Sequence, residues 1–294
     1  MEIALLYGLV GLALLLALWP TRSVAERFLR RWGVAEPTDR QVSDAVHYLR
    51  GRRLLYPPLI FLVPAAATAL AGPLGMPTPT PGALHYCAAL IIALLLAEAT
   101  AALRPVRGLR VAVLSPRRWH DLVPRPAVVV LLGLLGLSAL LAGADLSTRS
   151  WSHRVAATAE GLSPEYRDLF LRPTGVLVLV GVVLGAAAVL GVVGLAVRRA
   201  PTGDPRVDAV LRTRTARVAV GIGIGWAGSL VGVAHGRLWS LSDLAARSPE
   251  DAPAWLAVVP ATGWLGLVVL VGSLGTWMGV ATPPKAAVSR EGVR

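Results

Sequence analysis

One carboxylate sits where ionisation is costly. Glu98 lies in the run Ala97-Glu98-Ala99-Thr100-Ala101-Ala102, inside an apolar stretch over 84–103. A carboxylate in hydrocarbon costs a few kcal/mol even on insertion scales, so it calls for a proton, a cationic partner or a water path. Two chemistries follow. Glu98 could couple the movement of protons or a substrate, or it could be one half of a structural ion pair with an arginine at a neighbouring helix end. Arg53 and Arg217 are the candidate partners. Because Glu98 stands about five residues, or ~8 Å, from one end of the stretch rather than at its middle, the structural pair is the favoured reading.

Other residue types that could do chemistry lack the spacing for it. His85, His153 and His235 could serve a transition metal or haem. The chain has no H-x-x-x-H or C-x-x-C, and its one cysteine, Cys87, is two residues from His85 and points elsewhere on a helix. No metal and no cofactor is expected. Gly221-Ile-Gly223-Ile-Gly225-Trp-Ala-Gly228 contains a formal G-x-G-x-x-G, but it follows no strand, so the dinucleotide reading fails its context. Gly221 and Gly225, with Gly228, Gly232 and Gly236, read instead as small-x-x-x-small ridges for close helix packing. Gly181/Gly185 and Gly275/Gly279 repeat the pattern. Intramembrane aspartyl proteases need two carboxylates in spans, rhomboid-type proteases a Ser–His pair, and retinal proteins a lysine in the last span. None of these sets is present, and the chain is expected not to be an enzyme.

The elements that would carry these residues are set by composition. Of 294 residues 55% are hydrophobic and 16% charged, with a mean hydropathy of +0.62. The apolar residues fall into blocks of about 18 to 25, the length of a bilayer-crossing helix. The expected fold is all-α: one polytopic transmembrane helix bundle over 1–294, with spans near 3–19, 54–72, 84–103, 126–143, 174–197, 218–236 and 254–280. MEIALLYGLVGLALLLALWP, without a basic start or an A-x-A site, reads as a retained span. Segments 20–53, 104–125, 198–217 and 281–294 hold 23 of the 29 basic residues. The positive-inside rule then puts the N-terminus outside and the C-terminus in the cytoplasm. The charge of +12 is thereby spent on topology and on anionic inner-leaflet lipid head groups, not on nucleic acid. A membrane or cytoplasmic protein remains open as a further partner.

Local signals refine this plan. Pro57, Pro58 and Pro64 in the second span and Pro260 in the last can kink their helices and are candidate hinges. Amphipathic helices are expected over about 23–53 and 204–217. Thr38 with Gln41 predicts a capping box, and Asp204-Pro205 predicts an N-cap followed by proline at the first helical position. In the outer loop 144–173, Ser163-Pro164-Glu165 opens a short interfacial helix. Trp151, Trp239 and Trp255 suit an aromatic belt on the outer side, and Trp119 one on the inner side.

Segment 37–53 lies on 201–217 without a gap: Pro37, Thr38, Asp44, Ala45, Val46, Arg50 and Arg53 meet Pro201, Thr202, Asp208, Ala209, Val210, Arg214 and Arg217. If this is a repeat, halves 1–103 and 174–280 are parallel copies around span four, a three-plus-one-plus-three plan. That plan resembles sugar-transporting seven-span proteins in topology only, since their Pro-Gln signature is absent. The single lysine among Arg, Ala, Gly and Val, with segments such as LSPRRWHDLVPR (114–125), resembles multi-spanning membrane proteins of high-GC actinobacteria. The resemblance implies a plasma-membrane location and no activity. The functional expectation is a non-enzymatic scaffold, sensor or accessory component. The alternative is a small secondary transporter with Glu98 as its coupling or substrate-site carboxylate.

Overall fold

A computed structural model of the chain describes residues 19–55, 58–59, 62–63, 65–66, 69, 91–100, 119–158, 162–198, 204–248 and 251–283. Among them the regular structure is helical, without strands: α1 Arg22–Arg31, α2 Asp39–Arg53, α3 Ile91–Thr100, α4 Arg125–Thr158, α5 Pro164–Leu171, α6 Thr174–Arg198, α7 Pro205–Arg247 and α8 Leu265–Ala281. Short 3₁₀ turns cover Trp119–Asp121 and Ala254–Thr262. Among the described residues three helices, α4, α6 and α7, are long and apolar enough to cross a membrane; the turn at Ala254–Thr262 with α8, bent by 51°, makes a fourth if counted as one span. Of the seven expected spans, 3–19 except Trp19, most of 54–72 and the ends of 84–103 lie outside the described residues.

The span boundaries differ from expectation in ways that have local causes. The expected span 126–143 is the first half of a 34-residue helix. No proline or other helix breaker follows Ala144, so the polar residues expected in a loop stay helical through Thr158. The amphipathic segment at 204–217 and the span at 218–236 are one helix of 43 residues, ~65 Å long, about twice the hydrocarbon thickness. Candidate hinge Pro260 sits inside the 3₁₀ turn, just before the bend. Its missing N–H and fixed φ suit a tightened, broken helix. Pro58 is helical and exposed, whereas Pro57 and Pro64 lie outside the described residues.

The described chain forms two compact units, one of residues 1–124, 190–222 and 280–294, the other of 125–189 and 223–279. In the first, α1, α2 and the start of α7 enclose a core of Ala25, Leu29, Val34, Val42, Ala45, Val46, Leu49, Val207, Val210 and Leu211. Both expected caps of this unit are present. The Thr38 side chain accepts from Gln41 N while Gln41 Oε1 accepts from Thr38 N at 2.9 Å. Asp204 Oδ1 accepts from Arg206 N and Val207 N at 2.8 and 3.2 Å. Between α1 and α2 the chain turns at Gly33, whose φ of 95° favours glycine. Its N–H donates to Arg30 O and that of Val34 to Leu29 O, a Schellman closure whose apolar contact, Val34 with Leu29, lies in the same core.

The second unit is built on flat glycine strips that admit large rings. Trp226 lies across Gly181 and Gly185 and donates its indole N–H to Gly181 O at 2.9 Å. Gly223 meets Val189, Gly225 meets Trp277, and Gly228 meets Ser273, each closely enough that a Cβ would crowd the neighbour. Gly221 is buried. Gly232 and Gly236 would find nothing within 4 Å of an added Cβ, so the predicted packing ridge is tight at Gly225 and Gly228 and open beyond them. Trp151 is buried at 4% exposure, not in an interfacial belt, whereas Trp119, Trp239 and Trp255 are exposed. Serine and threonine hydroxyls of the apolar helices donate back to their own helix, as Ser138 does to Leu134 O, Ser229 to Trp226 O and Ser273 to Leu270 O. That satisfies them without water.

Replacing Gly185 by Ala puts a methyl 2.4 Å from the Trp226 ring. Overpacking of this kind costs about 1–3 kcal/mol. Gly185→Ala is therefore expected to lower the melting temperature of the detergent-solubilised chain, while Gly191→Ala, which lies inside the same helix and meets nothing within 4 Å, keeps it or raises it slightly.

Candidate functional site: the buried charges

Glu98 is fully buried on α3, and its carboxylate is ion-paired with the buried guanidinium of Arg52 on α2. The structure therefore supplies the structural partner expected from the sequence, but from the residue beside the candidate Arg53. The phase of α2 explains the difference. Its buried stripe runs Val42, Ala45, Leu49 and next reaches Arg52, whereas Arg53 is half-buried. Arg217, the other candidate, lies over the Trp32 ring at 5.9 Å. Several other polar groups of this unit are also engaged. Asp208 pairs with Arg212 at 2.7 Å, and Arg212 donates to Val197 O at 3.3 Å. Arg214 stands over the rings of Phe28 and Tyr48 and Arg50 over Trp19, contacts that orient guanidinium planes on aromatic faces.

The two segments matched in sequence lie side by side. Gln41 Nε2 donates to Asp204 Oδ2 at 2.6 Å, near the start of each helix. Further along, Tyr48 Oη and Thr215 Oγ1 are 3.1 Å apart. The helices therefore run parallel, joined at their N-termini by one amide that also completes its own capping box. Val46 and its match Val210 are buried in one core. Other matched residues take different surroundings: Asp44 is exposed where Asp208 is buried, and Ala45 is buried where Ala209 is exposed.

Asp145 and Arg237, in the second unit, were missed by the sequence reading, which gave both to loops. Arg237 Nε donates to Asp145 Oδ1 at 3.0 Å. Its other nitrogens donate to Leu169 O at 2.7 Å and Phe170 O at 2.9 Å, carbonyls of the last turn of α5. Asp145 Oδ2 accepts from Gly175 N at 2.7 Å, in the first turn of α6. These are helix-end groups without partners in their own helices, and each charge has the sign that the adjacent helix dipole favours. One ion pair thus caps both helices flanking the turn 172–173. Glycine at 175 is required for the approach, because a Cβ there would lie 2.8 Å from Asp145 Oδ2 and from Ala142 O. His235, also buried, contacts Thr262 Oγ1 at 3.1 Å, while His85 lies outside the described residues. The signal available in the sequence was that neither proline nor glycine occurs between Asp145 and Thr158.

No family model matches the chain, and comparison with curated proteins and with solved structures finds no significant similarity.

Breaking a buried pair leaves an uncompensated charge and costs about 3–5 kcal/mol, whereas replacing both members by apolar residues is often neutral. Arg52→Met alone is thus expected to destabilise the chain strongly in thermal unfolding, and Arg52→Met with Glu98→Leu to restore most of the loss. A double variant as unstable as the single one contradicts a purely structural pair. A second expectation concerns pH. Burial pushes the Asp204 carboxyl up, but the hydrogen bonds from Gln41, Val207 and Arg206 and the Arg206 charge together hold it below its ordinary value of 3.8. A depressed carboxyl stabilises the fold above its unfolded value and loses that contribution as pH falls through the folded one. Asp204→Asn, which keeps a capping oxygen, is expected to flatten the acid limb of the stability profile below about pH 4.

Proposed function

We propose that the chain is a non-enzymatic integral component of the plasma membrane, a scaffold or accessory subunit, whose α1, α2 and first turns of α7 form a docking platform. The observation that carries this reading is the parallel lock between α2 and α7. Gln41 and Asp204 tie the two N-termini, Tyr48 and Thr215 meet farther along, and α7 then continues unbroken into an apolar window that is 78% buried. Such a lock suits a rigid surface joined to a membrane anchor more than a moving part. The buried charges fit the same reading, since each of the pairs Arg52–Glu98, Asp208–Arg212 and Asp145–Arg237 is matched. The outer face of α2, with Arg40, Ser43, Asp44 and His47 exposed, is the surface offered to a partner protein.

The bent pair of Ala254–Thr262 and α8 favours a second reading, a small secondary transporter, because discontinuous helices often line transport sites. Glu98 would then be its coupling or substrate-site carboxylate. Photo-crosslinking from positions 43 and 47 in native membranes is expected to give a discrete protein adduct, and proteoliposomes of the purified chain to show no solute-dependent current across sugars, amino acids and organic ions. A current abolished by Glu98→Gln, with the melting temperature retained, would overturn the scaffold reading in favour of transport.

A further inference from the structure

An amphipathic helix at a membrane surface ordinarily binds by burying its apolar face in the head-group boundary. On α1 that face is already occupied. Ala25 and Leu29 are wholly buried against α2 and α7, and Phe28 and Trp32 pack on the same core. At 100° per residue, the opposite face presents Ser23, Arg27, Arg30 and Arg31, all exposed, with one carboxylate, the half-buried Glu26, at its edge beside Arg30. Arg27 donates its Nε to Ser23 O at 3.3 Å, and the neighbouring arginines are engaged elsewhere: Arg22 with Asp39, Arg50 with Trp19, Arg214 with Phe28 and Tyr48, and Arg217 with Trp32. Three guanidinium forks on one side of a helix match phosphate oxygens in geometry and charge.

What such a face meets is limited by its attachments. Helix α1 begins at Arg22, three residues beyond the end of the apolar sequence 3–19, and α2 ends at Arg53, immediately before the apolar sequence 54–72. A platform tethered at both ends to membrane-length apolar segments stays within reach of lipid phosphates, and electrostatic attraction extends about 8–10 Å at physiological salt. We propose that Arg27, Arg30 and Arg31 form a docking face for the head groups of anionic phospholipids, which binds by charge without inserting into the bilayer. This rests on the platform lying at a membrane surface, as in the function proposed above. Each basic residue close to an anionic surface favours binding about fivefold, and three together about a hundredfold.

The full chain, purified in an uncharged detergent, is titrated with dioctanoyl phosphatidylglycerol or phosphatidylcholine, read by thermal unfolding and by native mass spectrometry of retained lipid. Phosphatidylglycerol is expected to bind and stabilise, phosphatidylcholine not, and half-molar salt is expected to remove the difference. The triple variant Arg27→Gln, Arg30→Gln, Arg31→Gln should keep its helix content and lose phosphatidylglycerol affinity by about a hundredfold, while the Arg→Lys triple retains most of it. Unchanged phosphatidylglycerol affinity in the glutamine triple overturns the proposal. So does stabilisation by polyglutamate in place of lipid, which would assign the face to an acidic protein. Equal binding of both lipids without salt dependence also overturns it, pointing to insertion. A parallel measurement in nanodiscs separates the underlying reading. Lipid binding in micelles with no effect of anionic lipid in nanodiscs would remove the platform from the bilayer surface while leaving phosphate recognition by the three arginines intact.

Discussion

Arginine beneath the protein surface is tolerated only where its charge and its donors both find partners, and Arg237 meets that condition with one side chain. Three of its nitrogens serve a carboxylate and two helix-terminal carbonyls, and the carboxylate in turn serves the amide of Gly175. Left to themselves, the end of α5 and the start of α6 would present unsatisfied carbonyl and amide groups in a setting with little water. The ion pair removes that cost on both sides of the turn. Helix α5 can therefore bury Phe170 completely, and the guanidinium lies over its ring at 5.4 Å. The surrounding core of Trp151, Ala156, Leu238, Leu241, Leu244, Leu256 and Val259 closes over a polar centre that has been neutralised.

The same constraint is met differently around α2. Polar groups there are satisfied in pairs along a helix–helix seam, from Gln41 with Asp204 to Tyr48 with Thr215, and aromatic faces take up several of the arginines. Gln41 carries more than its size suggests. Its oxygen completes a capping box and its nitrogen reaches the cap of a second helix, so one neutral amide sets the start of both. A glutamate at this position could still accept from Thr38 N but would face Asp204 with a like charge.

Legibility in the sequence followed the range of the interactions. Caps depend on residues three apart, and those at Thr38, Ser163 and Asp204 could be read directly. Apolar windows at 126–143, 174–197 and 218–236 likewise announced α4, α6 and α7. Helix lengths were less legible, because hydropathy falls at Ala144 while nothing there prevents the backbone from continuing to Thr158. The partner of Glu98 was displaced by one residue, since only the packed phase of α2 decides whether Arg52 or Arg53 turns inward. Glycine ridges were visible, but not what fills them. That Gly185 faces Trp226 and Gly225 faces Trp277 depends on contacts far apart in the chain.

The clamp at Arg237 has a consequence for biosynthesis. Asp145 and Arg237 are 92 residues apart, and the chain emerges from its N-terminus. When α5 and α6 first leave the ribosome, the carbonyls of Leu169 and Phe170, the amide of Gly175 and the Asp145 carboxylate are all present, but the cation that joins them has not been made. The turn between α5 and α6 must wait, its polar groups held by water or by the insertion machinery, until α7 delivers its guanidinium. This corner of the protein is assembled late although most of its residues are synthesised early, and a chain arrested before residue 237 would leave there one uncompensated carboxylate and two incompletely bonded helix ends that the finished protein satisfies.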